Sequence, residues 1–580
     1  MRTFSLIIAL LFSAAVWAQP VTVKHLSETH TMVRPDGSGR YLLLPVQEAA
    51  PEASVRVISA GRELQASNIR LAIDKVDYTV PLDLEPFEGQ SLILDIRTNG
   101  KYDYSNAICW NEMKPSSFFD NANREYFRPE YHFSPAYGWM NDPNGMVYKD
   151  GEWHLFYQYN PYGSVWGNMT WGHAVSRDLV HWEELPPAIF PDALGAIFSG
   201  SAVVDKDNVS GFGKGAIVAM FTSAGASQTQ SLAYSNDGGR TFTKYSGNPV
   251  IVSDVPDFRD PKLFYDNKTG QWKVILAAGQ EVRFYSSDNL RDWTYESSFG
   301  KGYGCHDGVW ECPDLVRLSL DGQEKDVIIL NINPGGPSGG SATQYFIGTF
   351  DGHRFICDDD PSVTRWMDYG KDHYATVTWS NAPDGRIVAL AWMSNWQYAN
   401  SVPTKQFRSS NSIPRDLSLV RKGDGTILVS SPSPEMDALR GKPVRMKLGA
   451  NPKRISDGSL KAYEMVIRIN APRKQRSGLV LSNDMGEEVV FSFDPVAQTF
   501  SMDRSRSGAV DFNKSFPCVT EAPAEIGGKM EFRIFVDTAS IEVFGEDFCM
   551  TNLVFPSSPY RYIRTEGGLK AESTLYPLNK

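Results

Sequence analysis

Three acids stand in segments where Pro or Gly restricts the backbone beside them. Asp142 lies in Gly138-Trp139-Met140-Asn141-Asp142-Pro143-Asn144-Gly145. Asp260 lies in Asp257-Phe258-Arg259-Asp260-Pro261-Lys262, and Glu311 in Val309-Trp310-Glu311-Cys312-Pro313-Asp314-Leu315. Taken singly, an Asp before Pro is a turn former. Brought together, such acids supply one protonated and one ionised carboxyl, the pair that cleavage of a glycosidic bond requires. The protonated group would donate to the leaving oxygen. The ionised one would attack the anomeric carbon or direct water. Arg259, next to Asp260, is expected to favour the charged form of that acid.

The elements that would position these acids repeat along the chain. Apolar runs at 153–158, 216–221, 272–277, 326–331 and 386–391 begin 54 to 63 residues apart. The first four are each followed by a second strand-like segment and a polar turn; 172–182 and 283–293 share a Ser/Asp turn that ends in Trp182 and Trp293. Units of this size predict a five-bladed β-propeller over 121–430; a large irregular sandwich is the alternative. The continuous apolarity marks the runs as the buried innermost strands. Asp142, Asp260 and Glu311 precede the first, third and fourth runs, so in a propeller they would face one central funnel.

The flanks complete an all-β fold class. Residues 19–120 read as an extra small N-terminal β domain, with strands at 54–58 and 91–96 and no visible chemistry. Beyond Ser430-Ser431-Pro432-Ser433-Pro434 the pattern becomes alternating, at 463–469 and 488–493, and ends in a hairpin at 533–544. That predicts a C-terminal β-sandwich over 431–580. Arg2, the apolar run 6–16 and Val16-Trp17-Ala18 read as a signal peptide over 1–18, giving a secreted or periplasmic product that begins at Gln19. The run is too short to span a bilayer, and no Cys follows the cleavage point to carry a lipid anchor.

The six cysteines, Cys109, Cys305, Cys312, Cys357, Cys518 and Cys549, contain no CxxC pair. Zinc is therefore not expected, although an oxidising compartment permits one or two bridges. His132 and His306 flank the first and third motifs without metal-ligand spacing, and His173 reads as a strand residue, so neither a metal nor another cofactor is expected. A net charge of −11 argues against nucleic acid or an anionic membrane as partner. Aromatic residues make up 12% of the chain, a richness that suits both strand formation and stacking on sugar faces.

With all three motifs present in order, the chain resembles glycoside hydrolase family 32, which includes invertases, inulinases and levanases. The likeness covers roughly 126–580, with its signatures within 132–415. It implies retaining hydrolysis of terminal β-D-fructofuranosidic bonds in levan or inulin, and in sucrose, with a fructan or fructo-oligosaccharide as partner. Asp142 would be the nucleophile and Glu311 the general acid/base. Asp260 would hold fructose hydroxyls in the transition state. A retaining mechanism puts the first two carboxyls about 5–5.5 Å apart. The resemblance also implies binding roles: Asn141 and Gln158 facing the fructose pocket, Trp166 stacking near the sugar, Phe198 and Ser199 bordering it, Arg259 beside Asp260, and Tyr345 and Trp392 as aromatic contacts. The N-terminal domain is a departure, because many members begin near their first hydrolase motif.

Exo action needs a closed pocket and endo action a groove. A soluble, unanchored export product suits exo cleavage of short oligomers. Four alternatives stay open at this point: an endo-acting levanase or inulinase, a fructosyltransferase, a related five-bladed furanosidase acting on arabinose or xylose polymers, and a non-catalytic carbohydrate-binding relative. The full Trp-Met-Asn-Asp-Pro-Asn-Gly string argues against the furanosidase. Retention of all three acids argues against the binding protein.

Overall fold

Residues 21–36, 39–122, 124–423 and 425–579 are described by a computed structural model; the expected export signal at 1–18 lies outside them. Two compact units divide between Asp120 and Asn121. In the first, a five-stranded sheet (Val21–Ser27, His30–Pro35, Leu92–Arg97, Ala53–Ser59 and Arg62–Ile69) accompanies a three-stranded one (Tyr78–Asp83, Tyr41–Val46 and Lys114–Ser116). Alternation buries Val55 and Val57, with Leu42 and Leu44 on the smaller sheet. Trp110 donates its indole N–H to the Tyr104 carbonyl.

The second unit opens with five antiparallel sheets in succession. Their first strands are Gly138–Lys149, Ala196–Asp205, Phe258–Asp266, Val309–Leu320 and Tyr374–Thr378. These strands neighbour one another in a closed ring, so each sheet is a blade and the strands line the axis. Phe407–Arg408 closes the ring by pairing in parallel with Gly138 and Trp139 of blade I. The five-bladed propeller is as expected.

One detail differs. The apolar runs are the second strands of the blades (Glu152–Asn160, Ala216–Ala224, Gln271–Ala278, Gln323–Asn333 and Val388–Trp392), not the innermost ones. A second strand is covered on both faces by the neighbouring blades, so it reads as continuously apolar. The innermost strand has an edge at the axis and can carry polar side chains there.

The motifs sit inside these innermost strands and not in turns. An edge strand tolerates proline, whose missing N–H would have had no ladder partner. Pro143, Pro261 and Pro313 exploit this. At one level each innermost strand also slips register against the second strand, leaving two residues opposite one. The bulged pairs are Asn141-Asp142, Phe198-Ser199, Asp260-Pro261, Cys312-Pro313 and Ala375-Thr376. Asp260, Cys312 and Ala375 take φ of 64°, 45° and 53°, the left-handed region that non-glycine residues avoid.

After blade V, two six-stranded sheets form the sandwich around Phe491, Phe493, Phe500 and Phe532. All six cysteines are free thiols. Propeller and sandwich meet through buried charge. His132 Nδ1 donates to Asp537 at 2.7 Å and Nε2 to Glu542 at 2.8 Å. Arg415 bonds Glu542 at 2.5 Å and Asp368 at 2.9 Å. Burial opposes a charge on His132, but its bonds to Asp537 and Glu542 overcome that and raise it to about 9.

Because the folded value lies above the ordinary one of 6.5, the stabilisation is complete below about pH 6.5 and is lost as pH rises through about 9. The thermal midpoint at fixed scan rate should fall between pH 6.5 and 9.5, reflecting about 3 kcal/mol. In His132→Gln that part of the fall should vanish. An unchanged wild-type midpoint across this window would refute the charged network.

Candidate active site

The bulges bring acids from three blades to one level. In blade I, Trp139 donates its indole N–H to Asn141 Oδ1 at 2.8 Å, and Asn141 Nδ2 donates to Asp142 Oδ1 at 2.9 Å. Asp142 Oδ2 accepts from Ser199 Oγ of blade II at 2.6 Å. The Cys312 thiol of blade IV lies 3.3 Å from the same oxygen and 3.6 Å from Asp260 Oδ2. Burial, reinforced by the neighbouring acids, pushes that thiol well above its ordinary range, so it stays a neutral donor.

Asp260, in blade III, is almost fully buried. Its Oδ2 accepts from the Cys312 backbone N–H at 2.9 Å, and its own N–H donates to Thr222 Oγ1 at 3.0 Å. Burial raises its carboxyl to about 7; Arg259 opposes the shift, while Glu311 and Asp142 add to it. Arg259 does favour the charged form of Asp260, as expected, but it does not decide the balance. Burial outweighs the arginine, whose Nε stands 3.8 Å from Asp260 Oδ2. The guanidinium is drawn to Glu311, donating to Oε1 at 2.8 and 3.2 Å, and is braced by Asp257 at 2.5 Å and Gln228 at 3.2 Å.

Glu311 receives a second donor, the Tyr374 hydroxyl of blade V, on Oε2. Burial first, and the charge of Glu311 second, hold that phenol well above its ordinary value, so it too remains a donor. The Glu311 side chain is 20% exposed against 5% for Asp260. The first can exchange a proton with solvent. The second is almost closed off from solvent.

The remaining sequence-predicted residues divide. Gln158 stands opposite the Asn141-Asp142 bulge and donates its amide to the Ile197 carbonyl, tying blade I to blade II. The Trp166 ring, 43% exposed, meets Phe198 edge-on at 6.1 Å between centroids. Asn400 holds the Trp166 backbone N–H at 2.9 Å.

Two aromatic assignments do not hold. Trp392 is wholly buried, its ring centroid 5.9 Å from Trp139 and 6.3 Å from Tyr374; it supports those residues and offers no surface to a ligand. Tyr345 packs with Val316, Leu318, Ile329 and Leu417, and its hydroxyl accepts from the Leu428 N–H at 3.3 Å. It lies on the third strand of blade IV, outward from the axis, because its strand pairs with the apolar second strand.

Tyr374 and the Cys312 thiol are the residues that the sequence reading did not assign. Register would have found the tyrosine: it immediately precedes the bulge of blade V, as Glu311 does in blade IV and Arg259 in blade III.

The chain is similar to known proteins over most of its length. Residues 132–432 match the glycosyl hydrolases family 32 N-terminal domain, and 435–574 match the glycosyl hydrolases family 32 C-terminal domain. Residues 27–131 match a domain of unknown function, DUF4980. A levanase of Bacillus subtilis is 46% identical over 489 residues, covering 80% of this chain and 72% of that protein. An extracellular exo-inulinase of Aspergillus awamori is 39% identical over 486 residues, covering 74% and 90%. The crystal structure of exo-inulinase from A. awamori superposes with a TM-score of 0.73 at 35% identity, covering 79% of this chain and 99% of that one. A fructofuranosidase of Schwanniomyces occidentalis complexed with fructose gives 0.73 at 34%, covering 80% and 100%.

The buried Asp260 carries a stability consequence. Its folded value of about 7 lies above the ordinary 3.8, so folding becomes less favourable as pH rises between those values, and the cost is complete above about 7. Asp260→Asn keeps an acceptor for the Cys312 N–H and removes the charge. It should melt higher than wild type at pH 8, by up to about 4 kcal/mol, and match it at pH 3.5. A variant that is equally destabilised at both pH values would refute the burial cost.

Proposed function

The chain belongs to glycosyl hydrolase family 32, and from that premise we propose that it is an exo-acting, retaining β-fructosidase that removes terminal fructose from fructans and fructo-oligosaccharides. The observation that carries the reading is the meeting of Asp142, Asp260 and Glu311, from blades I, III and IV, around the Cys312 thiol and the Arg259 guanidinium.

In the first step the Asp142 carboxylate attacks the anomeric C2 of the terminal fructose. The bond from C2 to the leaving oxygen breaks, and Glu311 gives that oxygen its proton. In the second step water attacks C2 of the fructosyl-enzyme and Glu311 takes the water proton, freeing Asp142 and fructose. The bonds from Asn141 and Ser199 aim the Asp142 carboxylate. Arg259 and Tyr374 fix Glu311, whose side chain stays partly open to solvent. Asp260 would hold fructose hydroxyls, where bonds that strengthen in the transition state accelerate cleavage. Trp166 and Phe198 would form the aromatic rim that the sugar meets first.

Exo action follows the relatives, of which the A. awamori protein is named an exo-inulinase. We assign 1–18 to an export signal, 19–120 to an accessory β domain, 121–430 to the catalytic propeller and 431–580 to the sandwich. The protein then acts outside the cytoplasm, as the word extracellular in the exo-inulinase names suggests for those relatives.

Levan, inulin and sucrose incubated with the protein should yield free fructose as the sole early fructan product. Asp142→Ala should lower the rate by about 10⁴-fold or more and Glu311→Ala by about 10²–10⁴-fold. A ladder of oligomers would replace exo with endo action, lengthened products at high sucrose would indicate a transferase, and release of nothing would sink the reading.

A further inference from the structure

Directly beneath the acids lies a buried knot that the proposed chemistry leaves unused. Lys262 is 6% exposed, Asp314 0% and Thr378 3%. The Lys262 ammonium spends its three protons within it: on Asp314 Oδ2 at 2.8 Å, the Thr378 carbonyl at 2.6 Å and Thr378 Oγ1 at 3.2 Å. Thr378 closes the circle, its N–H and hydroxyl donating to the same Asp314 oxygen at 2.7 and 2.8 Å. The other carboxylate oxygen, Oδ1, has no hydrogen-bond partner among the described residues, so Lys262 is the counter-charge on which Asp314 depends.

The placement of the knot is what gives it meaning. Lys262 and Asp314 are the first paired residues after the bulges that carry Asp260 and follow Glu311, and Thr378 follows the bulge beyond Tyr374. A single cation thus ties the innermost strands of blades III, IV and V immediately below the three left-handed residues Asp260, Cys312 and Ala375. Such backbone persists only where its surroundings over-determine it. An ion pair this deeply buried gains little stability over an apolar pair of the same shape, so its use here points to geometry. It also separates two spaces. The small cleft under Ser199, Asp260 and Cys312 and a cavity of about 640 Å³ on the far side, bordered by Asp266, Arg317 and Trp379, share Lys262 and Thr378 as their common wall.

We propose that Lys262 is a positioning residue which, through Asp314 and Thr378, sets the spacing of Asp260, Glu311 and Tyr374 and floors the active site. The catalytic part of this rests on the β-fructosidase reading; the structural part does not.

The test compares Lys262→Met, Thr378→Val and Thr378→Ser with wild type. Lys262→Met and Thr378→Val should lower kcat by about 100-fold, the effect of a misplacement near 1 Å. KM should stay within about threefold, and the pH–rate profile should shift. Thr378→Ser, which keeps the hydroxyl, should behave as wild type. Alkylation of Cys312, followed by peptide mass spectrometry on the native proteins, should be slow in wild type and Thr378→Ser and fast in the other two, since the floor is open. A folded Lys262→Met with wild-type kcat, pH profile and Cys312 protection overturns the proposal; if that variant does not fold, the Thr378→Val and Thr378→Ser pair decides by the same criteria. Wild-type protein without fructose release would defeat the β-fructosidase reading, and Cys312 protection alone would then decide the knot.

Discussion

A propeller built from antiparallel blades leaves the inner edge of each first strand largely without a ladder partner, the short Phe407–Arg408 clasp on blade I apart. Five such edges meet at the axis, and each backbone polar group there must find a partner or reach solvent. In this protein the requirement is met by bulges at one level and by side chains from neighbouring blades. Gln158 reaches the Ile197 carbonyl, Gln230 the Phe258 carbonyl, and Asn331 both the Cys312 carbonyl and the Thr376 N–H. The acids owe their convergence to this solution. A regular strand would alternate its side chains away from a common level; a bulge re-aims one of them. Proline in all three motifs is tolerated for the same reason, because the edge it occupies has no ladder to break.

The electrostatics follow from how deep each acid is set. Three carboxyl groups and one guanidinium share a space where water is partly excluded. The Arg259 guanidinium is shared between Glu311 and Asp257 and stands farther from Asp260. Asp260 is left with burial as its dominant influence. A neutral thiol and a neutral phenol, Cys312 and Tyr374, supply hydrogen bonds without adding charge. Two acids with different solvent access can thereby hold different roles within one pocket.

Much of this was legible in the chain. Recurrence of the apolar runs marks the blade number, and the motifs containing Pro143, Pro261 and Pro313 mark the three acids that the structure brings together. What stayed hidden depends on contacts between distant segments. Continuous apolarity marks a strand covered on both faces but does not say whether it is innermost, and the innermost position belongs to the more polar motif strands. Bulges have no composition of their own, so Asp142 read as a turn residue. Tyr345 and Tyr374 look alike as single aromatics beside strands; only register against the second strand separates an axis residue from one between blades. Arg259 shows the same limit for charge, since adjacency to Asp260 in sequence did not decide which acid its guanidinium would face.

The clasp formed by Phe407 and Arg408 has a consequence for how the molecule comes into being. It pairs with Gly138 and Trp139, at the start of the strand that carries Asp142, and the Gln406 carbonyl receives the Gly138 N–H at 2.7 Å. A ribosome makes the Asp142 strand before its clasp, which follows only after blades II to IV and the first two strands of blade V. Until then that strand lacks one of its two flanking partners. Closure is a contact of long sequence separation, the slow kind to form. The chain therefore passes through most of its synthesis with its chemistry encoded and unassembled, and the hydrolytic pocket is a property of the completed circle.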